Sequence, residues 1–234
     1  MRIGIMQPYF VPYIGYWQLM NAVDKYVIYD DVNYIRGGWI NRNRILIDNQ
    51  PKYFNVPLIG ASQNKLINEI QVNVDNALVR KNLRTIESAY KKAPYFDTVY
   101  PLLKTILDCR KDKISEYIEE SFKVLCNYLD ITTELIMSSS INKNCNLKSQ
   151  KKILEICKIL KCTEYYNAIG GRDLYSYNDF RNNGIKLVFL KSNKIKYKQF
   201  SNNFYSDLSI IDVIMFNSKD EVKDMLLRYD LIFD

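Results

Sequence analysis

Two adjacent carboxylates, Asp30 and Asp31, are the residues whose types and position most directly suggest chemistry. They end a short apolar run and precede a basic segment that contains Asn41, Arg42 and Arg44. Carboxylates placed there could hold a magnesium ion, orient a sugar hydroxyl or accept a proton from an amine. The two arginines could bind a diphosphate through paired hydrogen bonds. Because neighbouring strand residues point to opposite faces, we expect only one carboxylate to face a site. An ion-pair cluster that closes the strand is the alternative.

The segment Tyr13-Ile14-Gly15-Tyr16 is a second candidate. Its position between an apolar strand and a helix-like segment resembles that of the HIGH element of class I nucleotidyltransferases and synthetases, whose histidines contact ATP phosphates. Both histidine positions hold tyrosine here, and a phenol carries no positive charge at neutral pH, so the usual nucleotidyl-transfer chemistry is not predicted. A helix N-terminus beside a polar loop can still bind an anion. We assign Tyr16 a catalytic role and Tyr13 and Gln7 binding roles, with aromatic packing over the sheet edge as the alternative.

A Gly-Gly turn is the third candidate. Gly170 and Gly171 lie where a predicted strand gives way to a helix, with Asn167, Arg172 and Tyr175 around them. The backbone N–H groups of such a turn can bind an anion, although the spacing is neither a dinucleotide-binding fingerprint nor a P-loop. A tight turn without a ligand explains the same residues, and the neighbouring arginine favours a binding role.

Asp212 lies in an otherwise apolar helical pattern, where an unpaired carboxylate is costly to bury. It follows Ser209 by three residues, so the two share one helix face. Either they form a satisfied polar pair in the core or Asp212 lines the site. Gln199, upstream of it, and Tyr34, in the segment after the paired carboxylates, complete the candidate binding residues.

The composition excludes several classes of site. There is no histidine, so a Ser-His-Asp or Cys-His arrangement is impossible, as is imidazole as a base or zinc ligand. The five cysteines form no C-x-x-C pair and are expected to be free thiols. A net charge of +7 favours anionic partners, but the basic residues do not alternate with aromatic ones as in a nucleic-acid module, and no nucleic-acid partner is expected. No apolar run approaches the roughly 18 residues of a membrane span.

Hydrophobic patterning predicts the elements that must position these residues. Residues 2–7 and 25–30 are predicted as buried parallel strands, joined by a helix over 15–23. From about 76 to 160 the period becomes helical. We therefore predict an α/β fold with a Rossmann-like (nucleotidyltransferase/HUP-like) parallel sheet and an inserted, mostly helical lobe at about 76–160, in a single α/β domain spanning 1–234. Further predicted elements are a hairpin with arms 45–47 and 53–56, strands 165–168 and 185–190, and helices 173–182, 208–216 and 218–229.

Long blocks of the sequence resemble one known family. IMQPYFVPYIGYWQLMNAVDKYVIYDDVNYIRGGWINRNRIL resembles the opening of the WbqC-like family, and YYNAIGGRDLY, GIKLVFL and LSIIDVIMFN resemble its later blocks, in the same order. The resemblance implies a cytoplasmic protein encoded among genes for O-antigen and other surface glycans. The residues it places at motif positions are Gln7, Tyr13, Tyr16, Asp30, Asp31, Tyr34, Asn41, Arg42, Arg44, Asn167, Gly170, Gly171, Tyr175, Gln199, Asp212 and Asn217.

Three functions are compatible with these features. We expect a cytoplasmic enzyme of surface polysaccharide (O-antigen-like, lipopolysaccharide) biosynthesis that modifies a nucleotide-linked sugar, by acyl or aminoacyl transfer to a sugar amine. Asp30 or Asp31 would act on the amine, and Arg42 and Arg44 would hold the diphosphate. The alternatives are an ATP-using ligase or nucleotidyltransferase with the HIGH histidines replaced, and a non-catalytic scaffold of a glycan assembly complex. Mg²⁺ or an activated acyl donor is the expected cofactor; no dedicated metal site is predicted, and a homo-oligomer is left open.

Overall fold

The computed structural model describes residues 1–233. Its strands are β1 (Arg2–Met6), β2 (Lys25–Ile28), β3 (Arg42–Ile47), β4 (Gln50–Asn55), β5 (Leu58–Ile59), β6 (Gln71–Val72), β7 (Glu134–Met137), β8 (Glu164–Ala168), β9 (Lys186–Ser192) and β10 (Tyr229–Phe233). Its α-helices are α1 (Ile14–Asn21), α2 (Asn76–Tyr90), α3 (Phe96–Leu107), α4 (Ile114–Leu129), α5 (Ser149–Ile159), α6 (Tyr177–Asn182), α7 (Ile210–Phe216) and α8 (Lys219–Leu226). Short 3-10 helices cover Ile67–Glu69, Ser138–Ser140 and Ile169–Leu174. None of the helices described is both long enough and apolar enough to cross a bilayer.

A mixed sheet of six of the described strands forms the centre of the fold, in the order β10-β9-β8-β1-β2-β7. Every neighbouring pair in it is parallel except β9 and β10. The chain passes from β1 outward through β2 to β7, then returns to the other side of β1 and continues outward through β8 and β9. The direction of strand addition therefore reverses between β1 and β8.

Both faces of this sheet are covered, because apolar residues in its strands point alternately to the two sides. Along β9, Val188 and Leu190 belong to one apolar cluster, whereas Leu187 and Phe189 belong to a second. The first cluster includes residues of α1, α2, α3, α4, α7 and α8, and Trp17 of α1 is fully buried in it. The second includes the apolar faces of α5 and α6. The sheet is thus the middle of three layers, as expected for parallel strands buried on both sides.

A β-hairpin of β3 and β4 lies outside the central sheet. Asp48 and Asn49 form its two-residue turn, and both have positive φ, at 53° and 56°. A two-residue turn in which both residues have positive φ is a type I′ turn, and its twist matches that of paired antiparallel strands. Asp and Asn tolerate this conformation. The hairpin places Asn43 and Arg44 of β3 beside the carboxyl ends of the central strands.

The predicted α/β class and mostly parallel sheet are confirmed. Two strands of that sheet were not predicted. Glu134–Met137 forms β7 inside the range predicted as a helical lobe, and Tyr229–Phe233 forms β10 where the last helix was expected to end. Segments of four or five residues carry too little periodicity to separate strand from helix, and pairing with an open sheet edge decides their structure.

Candidate functional site

A cleft of about 880 Å³ opens at the carboxyl ends of the parallel strands. Met6 and Gln7 at the end of β1 and Asn167 and Ala168 at the end of β8 both line it. These are the strands between which the direction of strand addition reverses. In open parallel sheets, a crevice forms outside the carboxyl ends of the strands at such a switch point, and ligands bind there.

Aromatic side chains form much of the wall of this cleft. Tyr9 and Tyr13 come from the loop after β1, Tyr29 follows β2, Trp39 lies before β3, and Tyr175 follows the Gly-Gly turn. Trp39 is 36% exposed at the mouth. Aromatic faces can stack against the planar or ring portions of a ligand while their polar edges stay hydrated.

The N-terminus of α1 adjoins the cleft, because Tyr13 and Gly15 both line it. A Cβ at Gly15 would lie 2.5 Å from Cε2 of Tyr13, so only glycine accommodates the ring where it is. Among the described residues no side chain caps this helix. The first-turn N–H groups of a helix have no intrahelical partners, and the helix dipole makes them attractive to an anion.

Arg44 is the arginine that lines the cleft. Its Nη2 lies 3.4 Å from the backbone oxygen of Asp207, and its guanidinium carbon is 5.9 Å from the centroid of the Trp39 ring. Its Nε is buried and has no hydrogen-bond partner among residues 1–233. A guanidinium has five donors in a planar fork, so most of the capacity of Arg44 is left for a ligand.

Asn167 holds the Gly-Gly turn in place at the other side of the cleft. Its Nδ2 donates to the hydroxyls of Tyr165 at 2.6 Å and Tyr175 at 3.2 Å. Its Oδ1 lies only 2.8 Å from where a Cβ of Gly171 would be, so glycine is required there. A Cβ at Gly170 would meet nothing within 4 Å, although Gly170 also lines the cleft. Gly170 therefore faces open space that a ligand can approach closely.

The paired carboxylates do not line the cleft; Asp30 is buried with 1% exposure. Its two oxygens accept hydrogen bonds from the backbone N–H of Ser139 at 2.9 Å and from the Ser139 hydroxyl at 2.7 Å. Burial raises the pKa of Asp30, partly offset by these hydrogen bonds. The side chain thus ties the end of β2 to the 3-10 helix after β7.

Asp31 joins two buried lysines. Its Oδ2 lies 2.8 Å from Nζ of Lys143 and 3.0 Å from Nζ of Lys152, and the three side chains are only 10%, 2% and 7% exposed, respectively. Lys152 also donates to the backbone oxygen of Asp31 at 2.8 Å and lies 5.1 Å from the centroid of the Tyr29 ring. Burial opposes ionisation of Asp31, but hydrogen bonds, led by that from Lys143, leave its pKa below the usual value. The arrangement matches the ion-pair alternative considered for these carboxylates.

Four further candidates have hydrogen bonds within the protein and do not line the cleft. The Tyr16 hydroxyl donates to the backbone oxygen of Gln7 at 2.8 Å, and burial raises its pKa strongly. Tyr34 donates to Asn41, whose Nδ2 donates to the backbone oxygen of Val56, directly after β4. The guanidinium of Arg42 donates to the backbone oxygens of the Gly37-Gly38 pair. Gln7 itself lines the cleft, and no hydrogen bond to its side-chain amide occurs within residues 1–233.

Asp212 is fully buried and lies away from the cleft. Its oxygens accept hydrogen bonds from Tyr90 at 2.9 Å, Tyr197 at 2.6 Å and Gln199 at 2.8 Å. Burial raises its pKa, and the three donors, all of them uncharged, partly oppose the rise. Arg172 is exposed and does not line the cleft.

The structure therefore brings part of the candidate set together. The predicted residues that line the cleft are Gln7, Tyr13, Arg44, Asn167, Gly170, Gly171 and Tyr175. Sequence reasoning did not select Tyr29, Trp39, Asn43 or Asp207, which also line it. Tyr29 directly precedes the carboxylates and, on a strand, points opposite to its neighbour, a signal that was present in the sequence. Asp207 had no comparable signal. Among the described residues no group of three or more Cys, Asp or Glu side chains is placed to hold a metal ion.

Fold and cleft define an α/β protein with a cleft at the carboxyl edge of a mostly parallel sheet. The chain belongs to the WbqC-like protein family, whose model matches residues 7–224. It is also 27% identical over 232 residues to the uncharacterized protein Rv1507c of Mycobacterium tuberculosis (strain ATCC 25618 / H37Rv), covering 97% of this chain and 98% of that protein. No solved structure matches the chain.

Proposed function

We propose that the cleft binds a nucleotide-linked sugar, and that the protein is a cytoplasmic transferase of surface polysaccharide biosynthesis that attaches an acyl or aminoacyl group to a sugar amine. The observation that carries the proposal is the guanidinium of Arg44, with donors left unpaired, beside an uncapped helix N-terminus in an aromatic cleft. Both features favour a phosphate-bearing ligand.

The size and position of the cleft support a ligand of this class. A volume of about 880 Å³ lies within the range of roughly 300–1,000 Å³ typical of small-molecule sites. The reversal of strand order around β1 supports a nucleotide ligand, because open parallel sheets with such a switch point bind nucleotides at this edge. Tyrosine rings would stack on the base or sugar, and the free amide of Gln7 would bond to hydroxyls.

Asp30 and Asp31 do not support this proposal, because their hydrogen bonds and ion pairs hold the fold together. Asp207 is an acidic residue that does line the cleft. ATP is a second ligand to test, because Tyr13 occupies the first HIGH-like position and lines the cleft beside α1. The second such position, Tyr16, is directed into the core.

The test is isothermal titration of the protein with UDP-, dTDP-, GDP- and CMP-sugars, ATP with Mg²⁺, and coenzyme A. Arg44→Ala is expected to weaken binding of the recognised nucleotide sugar by about 10- to 150-fold, the equivalent of a lost charge-assisted hydrogen bond. Arg36→Ala removes the same charge from an exposed residue outside the cleft and serves as the matched control.

Three outcomes separate the alternatives. Tight binding of one nucleotide sugar that depends on Arg44 and not on Arg36 supports the transferase. Binding of ATP alone would replace it with the ligase or nucleotidyltransferase. If no compound binds at millimolar concentration, the cleft is not a nucleotide site and a scaffold of a glycan assembly complex becomes the better explanation.

A further inference from the structure

A second cavity of about 410 Å³, here called the annex, adjoins the cleft. The two cavities share Tyr13, Ser192 and Asp207 as lining residues. The annex lies under the segment that follows β9, which contributes Lys194 and Lys196. A ligand in the cleft and a ligand in the annex would therefore meet beside Tyr13 and Asp207.

The annex combines an apolar interior with two cations. Phe204 and Val213 belong to its lining, together with the exposed Lys194 and Lys196. Neither lysine forms an ion pair with any acidic side chain of residues 1–233. Two cations without ion-pair partners that line the same small cavity attract an anion such as a phosphate group.

Hydrogen bonds hold the segment that precedes Asp207 in place. Gln199 donates to the backbone oxygen of Tyr205 at 3.1 Å and accepts from its N–H at 2.9 Å. Gln199 and Tyr197 are in turn bonded to the buried Asp212. These contacts fix both ends of the segment 197–205, which gives the Asp212 cluster a role in shaping the annex.

Asp207 has a left-handed backbone conformation, with a φ of +56°, which aspartate tolerates better than most residues. Arg44 lies 3.4 Å from its backbone oxygen, and the Ser206 hydroxyl donates to its Oδ2 at 2.7 Å. Burial and the charge of Asp207 raise the pKa of Tyr13, consistent with the two groups being close at the junction.

We infer that the annex binds the phosphate group of the second reactant through Lys194 and Lys196, and that Asp207 accepts a hydrogen bond from the reacting group where the two cavities meet. This inference rests on the proposed function for the identity of the first ligand in the cleft. The anion site itself is testable without a nucleotide. The second reactant would be a phosphate-bearing donor, with its apolar portion against Phe204 and Val213.

Isothermal titration with inorganic pyrophosphate tests the annex on the full chain. The double variant Lys194→Ala/Lys196→Ala is expected to bind pyrophosphate at least tenfold more weakly than the wild type. The matched control, Lys91→Ala/Lys92→Ala, removes two exposed lysines that line neither cavity and should bind as the wild type does. Arg44→Ala should lose at most the diphosphate site proposed in the cleft and keep the annex site, because Arg44 lines only the cleft.

Loss of pyrophosphate binding in Arg44→Ala with retention in the double lysine variant would place the anion in the cleft and overturn the inference. An equal loss of pyrophosphate affinity in the double lysine variant and in the Lys91→Ala/Lys92→Ala control would mean general attraction to the surface, and would overturn the inference. The absence of pyrophosphate binding by the wild type would overturn it as well. Asp207→Asn should bind pyrophosphate about two- to fivefold more tightly, because a repelling charge is removed; weaker binding would count against Asp207 at the junction. Nucleotide-sugar titrations of the same variants report on the proposed function separately.

Discussion

Replacing Asp31 by asparagine removes the one carboxylate that contacts both buried lysines and should strongly destabilise the protein. The Nζ atoms of Lys143 and Lys152 lie 2.8 and 3.0 Å from its Oδ2, and both lysine side chains are less than a tenth exposed. Breaking a buried ion pair from one side costs about 3–5 kcal/mol, since the remaining charge stays buried without compensation. For a chain of this length, that free energy corresponds to a fall in melting temperature of roughly 6–20 °C.

The chain contains a close control for this variant. Asp130 also bridges two lysines, Lys219 at 2.7 Å and Lys223 at 3.1 Å, but its side chain is 49% exposed. It caps α4 in the left-handed conformation, which asparagine also tolerates. Because exposed ion pairs are screened by water, Asp130→Asn should change the unfolding midpoint far less than Asp31→Asn.

Urea denaturation followed by circular dichroism at pH 7 measures both variants. A loss of under about 1 kcal/mol in Asp31→Asn, equal to that of the surface control, would refute a structural role for this ion pair. If Asp31→Asn keeps its stability and loses ligand binding, Asp31 belongs to the functional site after all. The two readouts together separate the roles.

The pH dependence of the difference in unfolding free energy between wild type and Asp31→Asn gives a second check on Asp31. Its pKa in the fold is below the ordinary value of 3.8. A carboxyl group whose pKa is lowered by folding contributes stability that is complete above the unfolded value and is lost as the pH falls through the folded value. The stability gap between wild type and Asp31→Asn should therefore be constant above about pH 5 and shrink below pH 3.8. A gap that grows with acidity would contradict the lowered pKa.

Three further substitutions probe the cleft and the Asp212 cluster. Gly170→Ala adds a methyl group where no protein atom lies within 4 Å, so the melting temperature should be unchanged while affinity for the cleft ligand falls; unchanged affinity would mean that no ligand approaches this turn. Gly15→Ala would push the ring of Tyr13, 2.5 Å from the new Cβ, out of position, and titration should show weaker ligand binding with only a small loss of stability. Tyr197→Phe removes one of three donors to buried Asp212 and should lower the free energy of unfolding by about 1.5–3 kcal/mol, as measured in urea; no change would argue against an ionised Asp212.

The order of the main elements could be predicted because their patterns are long or strongly apolar. β1, β2 and β9 are buried strands within two residues of their predicted bounds, and α1 lies where the sequence indicated. Strand β7, Glu134–Met137, was not recognised within the region predicted as helical, because four residues are too few to show a hydrophobic period. β10 exists because β9 offers it an open edge, which is information that a local pattern does not contain.

The sequence could indicate cleft residues from their position after a strand of the central sheet. Asn167 and Gly170 lie at and just after the end of β8, and Arg44 lies in β3, the strand that follows β2 along the chain. The partners of Asp31 lie more than a hundred residues away in the chain, so nothing near it showed that lysines would engage it. Asp207 comes from an irregular segment whose path depends on contacts with the core rather than on any periodicity.

The two tryptophans of the chain lie in contrasting environments, and this gives the protein a built-in pair of optical reporters. Trp17 is fully enclosed in the core, with its Nε1 bonded to the backbone oxygen of Pro12 at 3.0 Å. Trp39 lines the mouth of the cleft beside the guanidinium of Arg44. A small quencher should reach Trp39 and not Trp17. Protection of the Trp39 emission from quenching when a compound is added therefore signals that the cleft is occupied, whereas a red shift of the Trp17 emission signals unfolding. A Trp39→Phe protein would keep only the second signal, and ligands could be screened by fluorescence without any label.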